Sequence, residues 1–166
     1  MNVFELLDPR IQKLLAAKGL AEATESQKIA IPEVLKGENA LLIAPTGIGK
    51  TEAVVLPLFH KILATEHLTI SILYITPLRA LNRDLYSRLV FFCSNLGINL
   101  AVRHGDTTKQ ERRRQVLHPP DILITTPETL QLLLIGKKLR ELLKNVRFVI
   151  IDEVHELANS ERGAQL

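Results

Sequence analysis

The residues best suited to carry out chemistry lie at 44–51, in the string APTGIGKT. Gly47 and Gly49 allow the backbone to curl so that successive N–H groups point at phosphate oxygens. Lys50 would reach the β- and γ-phosphates of a nucleotide, and Thr51 would offer its hydroxyl to Mg²⁺. The alternative is a glycine-rich turn that binds no ligand. It is disfavoured because a Lys-Thr pair after such a turn would have no packing purpose. The predicted nucleotide-binding residues are Thr46, Gly47, Gly49, Lys50 and Thr51.

A second candidate is the acidic pair Asp152 and Glu153, which ends the apolar run RFVII at 147–151. Two adjacent carboxylates at a strand end are unfavourable unless a cation or a proton-transfer task is present. Asp152 would hold Mg²⁺ through its water shell, and Glu153 would orient and polarise an attacking water. Acids also commonly begin the loop after a strand, but the phosphate-binding string upstream favours the functional interpretation. With Lys50, these two acids are the predicted catalytic residues.

Positive charge is concentrated in residues 103–114, whose net charge of +3 equals that of the whole chain. A local basic patch is typical of a surface that binds a polyanion. The alternative is a solvated helix face. Consecutive arginines fan out around a helix, so Arg112, Arg113 and Arg114 cannot form one stripe.

These residues need elements that position them, and apolar runs predict the strands. Strands buried on both faces read as continuous apolar runs, and strands that alternate with helices predict βαβ units. We therefore expect an α/β fold with a mostly parallel sheet and helices on both faces. The predicted strands are 40–44, 70–75, 98–102, 121–125 and 147–151. The predicted helices are 3–18, 26–36, 50–65, 78–95, 107–117 and 127–143, with Thr24 near the start of the second helix and Gly37 at its stop.

The composition excludes several classes of protein. With 46% hydrophobic and 23% charged residues, the chain is neither disordered nor of low complexity. The single cysteine, Cys93, excludes an internal disulfide framework and a multi-cysteine zinc site, and we expect it to lie in the core. No apolar run approaches the ~18 residues of a membrane helix. The start of the chain is not typical of a signal peptide, so we expect a cytoplasmic protein and no membrane partner.

Four strings in order carry a family resemblance: APTGIGKT (44–51), TPLRAL (76–81), TTPE (125–128) and DEVH (152–155). They resemble motifs I, Ia, Ib and II of superfamily 2 helicases, whose domains are RecA-like P-loop NTPases. Thr24 and Gln27 resemble the Q-motif that precedes them. The strings GDT and ERRR, with the residues after DEVH, are most similar to the large helicase-related (Lhr-like) group.

The resemblance implies an ATP-binding domain that couples Mg-ATP hydrolysis to strand translocation and unwinding. The implied partner is a single-stranded or partly duplex nucleic acid, with DNA as the expected substrate. The cofactors it implies are ATP and Mg²⁺, with the Gln27 amide on the adenine edge and His155 coupling the ATP site to motif III. The implied nucleic-acid contacts are Pro77, Arg79, Arg103, Gly105, Thr125 and Thr126. Two alternatives stay open: a nucleotide- or nucleic-acid-binding module without turnover, and an RNA helicase of the Ski2-like or DEAD-box type.

The resemblance also implies a second RecA-like domain as a partner, because the sequence ends at Leu166, before motif III. We divide the chain into N-terminal helices with the Q-motif (1–37) and a partial RecA-like domain (38–166), incomplete at its C-terminus. The motif III strand would separate strands 40–44 and 147–151. We therefore expect these two strands to lie about 10 Å apart, with no direct hydrogen-bond ladder between them.

Overall fold

The computed structural model describes residues 2–45, 47–65, 69–77, 83–158 and 163, leaving aside the side chains of residues 83, 84 and 137–139. The chain divides into two compact units, residues 1–67 and 68–166, and each is described by itself. The predicted boundary between residues 37 and 38 stays a prediction. No helix in the described ranges is both long and apolar enough to cross a membrane.

The first unit begins with a short 3₁₀ helix, Val3–Leu6, and helix α1, Pro9–Ala17. The prediction of one helix over 3–18 is wrong. The 3₁₀ helix ends at Leu6, and Leu7 is already extended. The residue before a proline is disfavoured in the helical region, so Asp8 is not helical either and α1 starts at Pro9. The Asp8 carboxylate accepts from the Arg10 backbone N–H and receives two bonds from the Arg10 guanidinium. The Arg10 side chain is the main reason that the pKa of Asp8 falls to about 2.

Helices α2, Glu25–Lys36, and α3, Lys50–Leu63, pack against each other in the first unit. Helix α2 starts with a capping box, in which the Thr24 and Gln27 side chains each accept from the other residue's backbone N–H. It ends at Gly37 in the left-handed conformation with φ 89°. The predicted start and stop of this helix are therefore confirmed.

The second unit contains a sheet of four parallel strands: β1 Ile72–Ile75, β2 Leu100–Arg103, β3 Ile122–Thr125 and β4 Phe148–Ile151. Their order is β2-β3-β1-β4. The predicted α/β class with a parallel sheet is confirmed, and the four apolar runs predicted here all form strands. The central strands β1 and β3 are buried along their whole length, as continuous apolar runs predict.

The helices that connect the strands are α4 Arg83–Leu96, α5 Lys109–Leu117, α6 Pro127–Ile135 and α7 Lys137–Leu143. Helix α8, Val154–Ala158, follows β4. The helix predicted over 127–143 is two helices, because Gly136 is extended (φ −75°, ψ 115°) and ends α6. Residues 78–82 of the predicted helix 78–95 lie outside the described residues. The core beside the sheet contains Ile70, Leu73, Ile75, Leu123 and Leu133. Cys93 is buried as predicted, and burial raises the pKa of its thiol to about 12.

The strand predicted at 40–44 is wrong, since residues 38–45 form no regular element. Leu41 and Ile43 are 73% and 85% exposed. An apolar run becomes a strand only when its N–H and C=O groups find a neighbouring strand, and this run has no ladder partner among the described residues. Among the described residues, strand β4 pairs with β1 alone, and the expected absence of a ladder between 147–151 and 40–44 stays a prediction. Their separation of about 10 Å stays a prediction.

Candidate functional site

The glycine-rich loop of the first unit has the backbone that its sequence requires. Gly47 and Gly49 both lie in the left-handed region, with φ 81° and 77°. Helix α3 begins at Lys50 directly after the loop, and no side chain of the described residues caps its N-terminus. The N–H groups of an uncapped first turn, together with the helix dipole, favour an anion. Lys50 and Thr51 are both half-buried in this first turn, and Thr46 lies outside the described residues.

The start of α2 is hydrogen-bonded to the carbonyl groups of this loop. The Thr24 and Ser26 hydroxyls donate to the Ile48 carbonyl at 2.9 and 3.0 Å. The Gln27 amide nitrogen donates to the Gly49 carbonyl at 3.3 Å. The Q-motif and the glycine-rich loop thus form one hydrogen-bonded network. Ser26 was not predicted from the sequence, although a hydroxyl beside Thr24 at a helix start is a signal that could have found it.

Gln27 uses both ends of its amide within the protein. Its oxygen accepts from the Thr24 backbone N–H at 3.0 Å, and its nitrogen bonds Gly49. A Cβ at Gly49 would collide with this amide, so the loop approaches Gln27 as closely as a glycine allows. The predicted contact of Gln27 with adenine stays a prediction. The two bonds leave one N–H and one oxygen lone pair of the amide unused.

In the second unit, parallel pairing brings the carboxyl ends of all four strands to one edge of the sheet. Ile75 of β1 is in register with Thr125 of β3 and with Ile151 of β4, and Arg103 of β2 is in register with Thr125. Ligands of open parallel sheets bind at this edge. The predicted residues at this edge are Pro77, Arg103, Gly105, Thr125, Thr126, Asp152 and Glu153.

Asp152 follows β4 and is held by three hydrogen bonds. Its backbone N–H donates to the Ile75 carbonyl at 2.8 Å, which continues the ladder past the last strand residue. One carboxylate oxygen, Oδ1, accepts from the Glu153 backbone N–H at 2.9 Å. The other, Oδ2, accepts from the Tyr74 hydroxyl at 2.6 Å. Tyr74 was missed from the sequence, although a tyrosine within the buried run ISILYI signals a hydroxyl that needs a partner.

Glu153 has a left-handed backbone, with φ 50°. This conformation is uncommon for a residue with a side chain and marks a position held by its surroundings. Its Oε2 lies 3.3 Å from Nδ1 of His155, which is far more exposed than Glu153. The predicted roles of Glu153 in orienting water and of His155 in coupling to motif III stay predictions.

The basic residues after β2 differ from one another in what they contact. Arg112 donates to the carbonyls of Thr107 at 2.8 Å and Gly105 at 2.7 Å, so it holds the turn at 104–107. Arg103 is half-buried beside Gln115, and burial, with the nearby Arg112 charge, lowers its pKa. Arg113 and Arg114 are exposed. The run of three arginines is therefore neither one stripe nor a uniform solvated face.

The other predicted nucleic-acid residues are mostly buried. Thr126 caps α6 by accepting from the Thr129 N–H at 3.4 Å. Thr125 and Thr76 are both buried. The hydroxyl oxygen of each has no hydrogen-bond partner within the described part of the chain. Pro77 is buried, Gly105 is exposed in its turn, and Arg79 lies outside the described residues. Contacts of these residues with phosphates stay predictions.

Comparisons with known proteins agree with these features. The DEAD/DEAH box helicase family matches residues 24–166. The ATP-dependent helicase Lhr-Core of Sulfolobus acidocaldarius is 39% identical over 99% of this chain and 20% of its own length. Lhr-Core of Methanothermobacter thermautotrophicus is 42% identical over 86% of this chain and 18% of its own. The structure of Mycobacterium smegmatis helicase Lhr bound to ssDNA and AMP-PNP matches with a TM-score of 0.88 and 34% identity, over 99% of this chain and 22% of that one.

The chain spans about a fifth of the length of these relatives. The similarity to Lhr-Core proteins confirms the predicted resemblance to the Lhr-like group, and the structural match confirms the predicted helicase fold. The glycine-rich loop at 47–49 and the acidic pair after β4 both fall inside the matched region. The chain therefore belongs to the DEAD/DEAH box helicase family.

Proposed function

We propose that this chain is the ATP-binding domain of an ATP-dependent nucleic-acid helicase. The observation that carries the proposal is the uncapped N-terminus of α3 behind two left-handed glycines, since this arrangement favours the phosphates of a nucleotide. Lys50 contributes a fixed positive charge toward the β- and γ-phosphates. Two observations support ATP as the nucleotide. The similar Lhr-Core proteins are named ATP-dependent helicases, and the mycobacterial Lhr structure contains AMP-PNP.

The chemistry of the donor set fits Mg²⁺. The Thr51 hydroxyl and the Asp152 carboxylate are hard oxygen ligands, which Mg²⁺ prefers, usually with several waters retained. When bound, Mg²⁺ would neutralise negative charge on the β- and γ-phosphate oxygens. Within the chain, Asp152 would face the water shell of the ion, and Glu153 would orient the attacking water and accept its proton.

Coupling of hydrolysis to strand translocation is proposed for the longer protein, with a second RecA-like domain as the partner that completes the site. DNA is the proposed substrate, since the similar Lhr structure contains ssDNA. The proposed contacts are at the carboxyl edge of the sheet, where Arg103 is in register with Thr125 at the end of β3. An arginine finger accelerates phosphoryl transfer ~10³–10⁵-fold in related enzymes. We expect the second domain to supply this arginine, so turnover by the 166 residues alone should be negligible. A cytoplasmic location stays a prediction.

Nucleotide binding is tested with Lys50→Ala. Hydrogen bonds to charged groups contribute ~1.5–3 kcal/mol, so we expect the affinity for ADP and for AMP-PNP to fall by about 10- to 100-fold. Titration calorimetry measures both. Lys13→Ala, on the exposed side of α1, is the matched control and should bind like the wild type. Equal affinities for the wild type and Lys50→Ala would contradict the proposal.

Nucleic-acid binding is tested by its salt dependence. Contacts to phosphates release counterions, so the affinity for a single strand should fall steeply as salt rises, with little dependence on base sequence. We expect Arg113→Ala with Arg114→Ala to reduce this salt slope. The exposed residue Lys144→Ala, paired with Glu141 on another surface, is the control. Binding that does not change between low and physiological salt would show that phosphates are not the contact.

A further inference from the structure

We propose that Tyr74 is a positioning residue, which orients the Asp152 carboxylate for the water shell of Mg²⁺. The inference rests on the proposed function, because it needs Asp152 to serve the metal. Tyr74 is in register with Ile150 on the neighbouring strand β4. Asp152 follows Ile150 by two residues, so both side chains lie on the face of the sheet that Tyr74 occupies. The Tyr74 side chain runs along this face to the strand end.

The hydrogen bond itself is short, and its donor is a buried residue. The distance of 2.6 Å between the Tyr74 hydroxyl and Oδ2 of Asp152 falls in the range of O–H···O⁻ bonds to an ionised acceptor. Tyr74 is only 2% exposed, so bulk water does not compete for its hydroxyl. A bond of this kind restricts the carboxylate more strongly than a neutral, solvent-exposed contact.

Two donors together fix the plane of the carboxylate. The Glu153 backbone N–H holds Oδ1 while the Tyr74 hydroxyl holds Oδ2. Each carboxylate oxygen has two lone pairs, so one on each oxygen stays able to accept from a metal-bound water. Without Tyr74, the carboxylate could rotate about its Cβ–Cγ bond with only the Glu153 N–H to restrain it.

Orientation matters here because Mg²⁺ demands nearly ideal octahedral geometry and keeps several of its waters. A carboxylate that acts through those waters must point at fixed positions. Removing a residue that hydrogen-bonds a metal-binding side chain typically lowers the metal affinity by 10–100-fold. We expect an effect of about tenfold, since one of the two donors to Asp152 remains.

The competing interpretation is that Asp152 only satisfies a buried tyrosine hydroxyl. That role predicts a loss of stability in Tyr74→Phe and an unchanged response to Mg²⁺. The chain has two tyrosines, and the second, Tyr86, is 42% exposed on α4. Tyr86 lines a pocket that contains no predicted metal residue, so Tyr86→Phe removes the same hydroxyl elsewhere and is the matched control.

The test measures ADP affinity by calorimetry as a function of Mg²⁺ concentration, for the 166-residue wild type, Tyr74→Phe and Tyr86→Phe. We expect equal ADP affinity for all three without Mg²⁺, and a Mg²⁺ midpoint raised about tenfold in Tyr74→Phe alone. The same midpoint in Tyr74→Phe and the wild type would overturn the inference while leaving the proposed function intact. A wild type that binds no ADP at all would overturn the proposed function and this inference with it.

A second measurement does not depend on Tyr74→Phe folding. In Tyr86→Phe, Tyr74 is the sole tyrosine, so a chain labelled with ¹³C at tyrosine Cζ gives one resonance. This resonance is followed during titration with Mg²⁺ at saturating ADP. We expect it to move with the same midpoint as the Mg²⁺ effect on ADP affinity. A resonance that stays in place while Mg²⁺ strengthens ADP binding would overturn the role of Tyr74.

Discussion

At the scale of single residues, Gly49 meets two requirements at once. Its φ of 77° lies in the region that residues with a Cβ rarely adopt, and its carbonyl accepts from the Gln27 amide. A Cβ there would also collide with that amide. Gly19 has a similar φ of 72° but open space around it. The two positions therefore separate the effect of backbone conformation from that of close approach.

We predict that Gly19→Ala lowers the free energy of unfolding by about 1–2 kcal/mol, the usual difference for a left-handed residue with a Cβ. Gly49→Ala should lower it further, because Gln27 must also move, and it should weaken ADP binding at least tenfold. Urea denaturation and calorimetry measure the two quantities. Equal losses of stability in both variants, with ADP binding intact in Gly49→Ala, would show that the close approach to Gln27 has no energetic consequence.

At the scale of elements, two helices begin with the same device. Helix α2 has the Thr24–Gln27 capping box and α5 has the Thr108–Glu111 box. In both, a threonine hydroxyl accepts from the third helical N–H and an acidic or amide side chain accepts from the threonine N–H. The Thr24 hydroxyl also donates to the Ile48 carbonyl in the glycine-rich loop. The Thr108 hydroxyl bonds only Glu111 among the contacts described.

We predict that Thr24→Ala and Thr108→Ala each lower the free energy of unfolding by about 1 kcal/mol, as the loss of a helix cap does. Thr24→Ala should also weaken ADP binding about 2- to 10-fold, the range expected for one hydrogen bond that positions the loop. ADP binding to Thr108→Ala should match the wild type. If both variants bind ADP equally well, the bond to Ile48 has no part in holding the nucleotide loop.

Local signals explain which elements could be predicted. Thr24 and Gly37 gave the ends of α2 correctly, because caps depend on the chemistry of a few neighbouring residues. The breaks at Pro9 and Gly136 were missed although both residue types interrupt helices, because the apolar spacing continues across them. The run at 40–44 has the composition of a strand, but strand formation depends on a neighbour that local sequence does not reveal.

The same limit applies to the candidate site. The residue types at 47–51 and 152–153 predicted nucleotide and metal chemistry, because that chemistry needs those groups at that spacing. The contacts of Tyr74 with Asp152 and of Ser26 with Ile48 join residues far apart in the chain. Strand order and register create the first of these contacts, and neither is written in a single sequence. The inward turn of Arg112 likewise depends on the carbonyls of the loop at 104–107.

At the scale of the whole molecule, the edge of the sheet formed by β4 is exposed. Within the described residues, β4 pairs with β1 and with no strand on its other side. Two of its apolar side chains, Val149 and Ile151, are 54% and 45% exposed. An exposed apolar edge strand is a template for pairing with another chain, and charged side chains, especially lysine, discourage such pairing.

We predict that the 166-residue chain self-associates as its concentration rises and that Val149→Lys reduces this association several-fold. Sedimentation velocity over a range of concentrations measures the effect. Leu132→Lys replaces an apolar residue on α6 that, at 65% exposure, is more exposed than Val149, and this variant should associate like the wild type. Association reduced equally by both lysines would point to general hydrophobic contact, and a wild type that stays monomeric would contradict the prediction outright.

The order of the strands also governs when the central strand β1 gains both of its neighbours during protein synthesis. Strand β1 lies between β3 and β4, and both of these neighbours come later in the sequence. At ~5–20 residues per second, the roughly seventy residues from β1 to β4 take about 4–14 s to synthesise. Throughout that interval the central strand has at most one of its two hydrogen-bonding partners. A nascent chain therefore carries an unfinished sheet until β4 emerges, and a holding chaperone would have this interval in which to act.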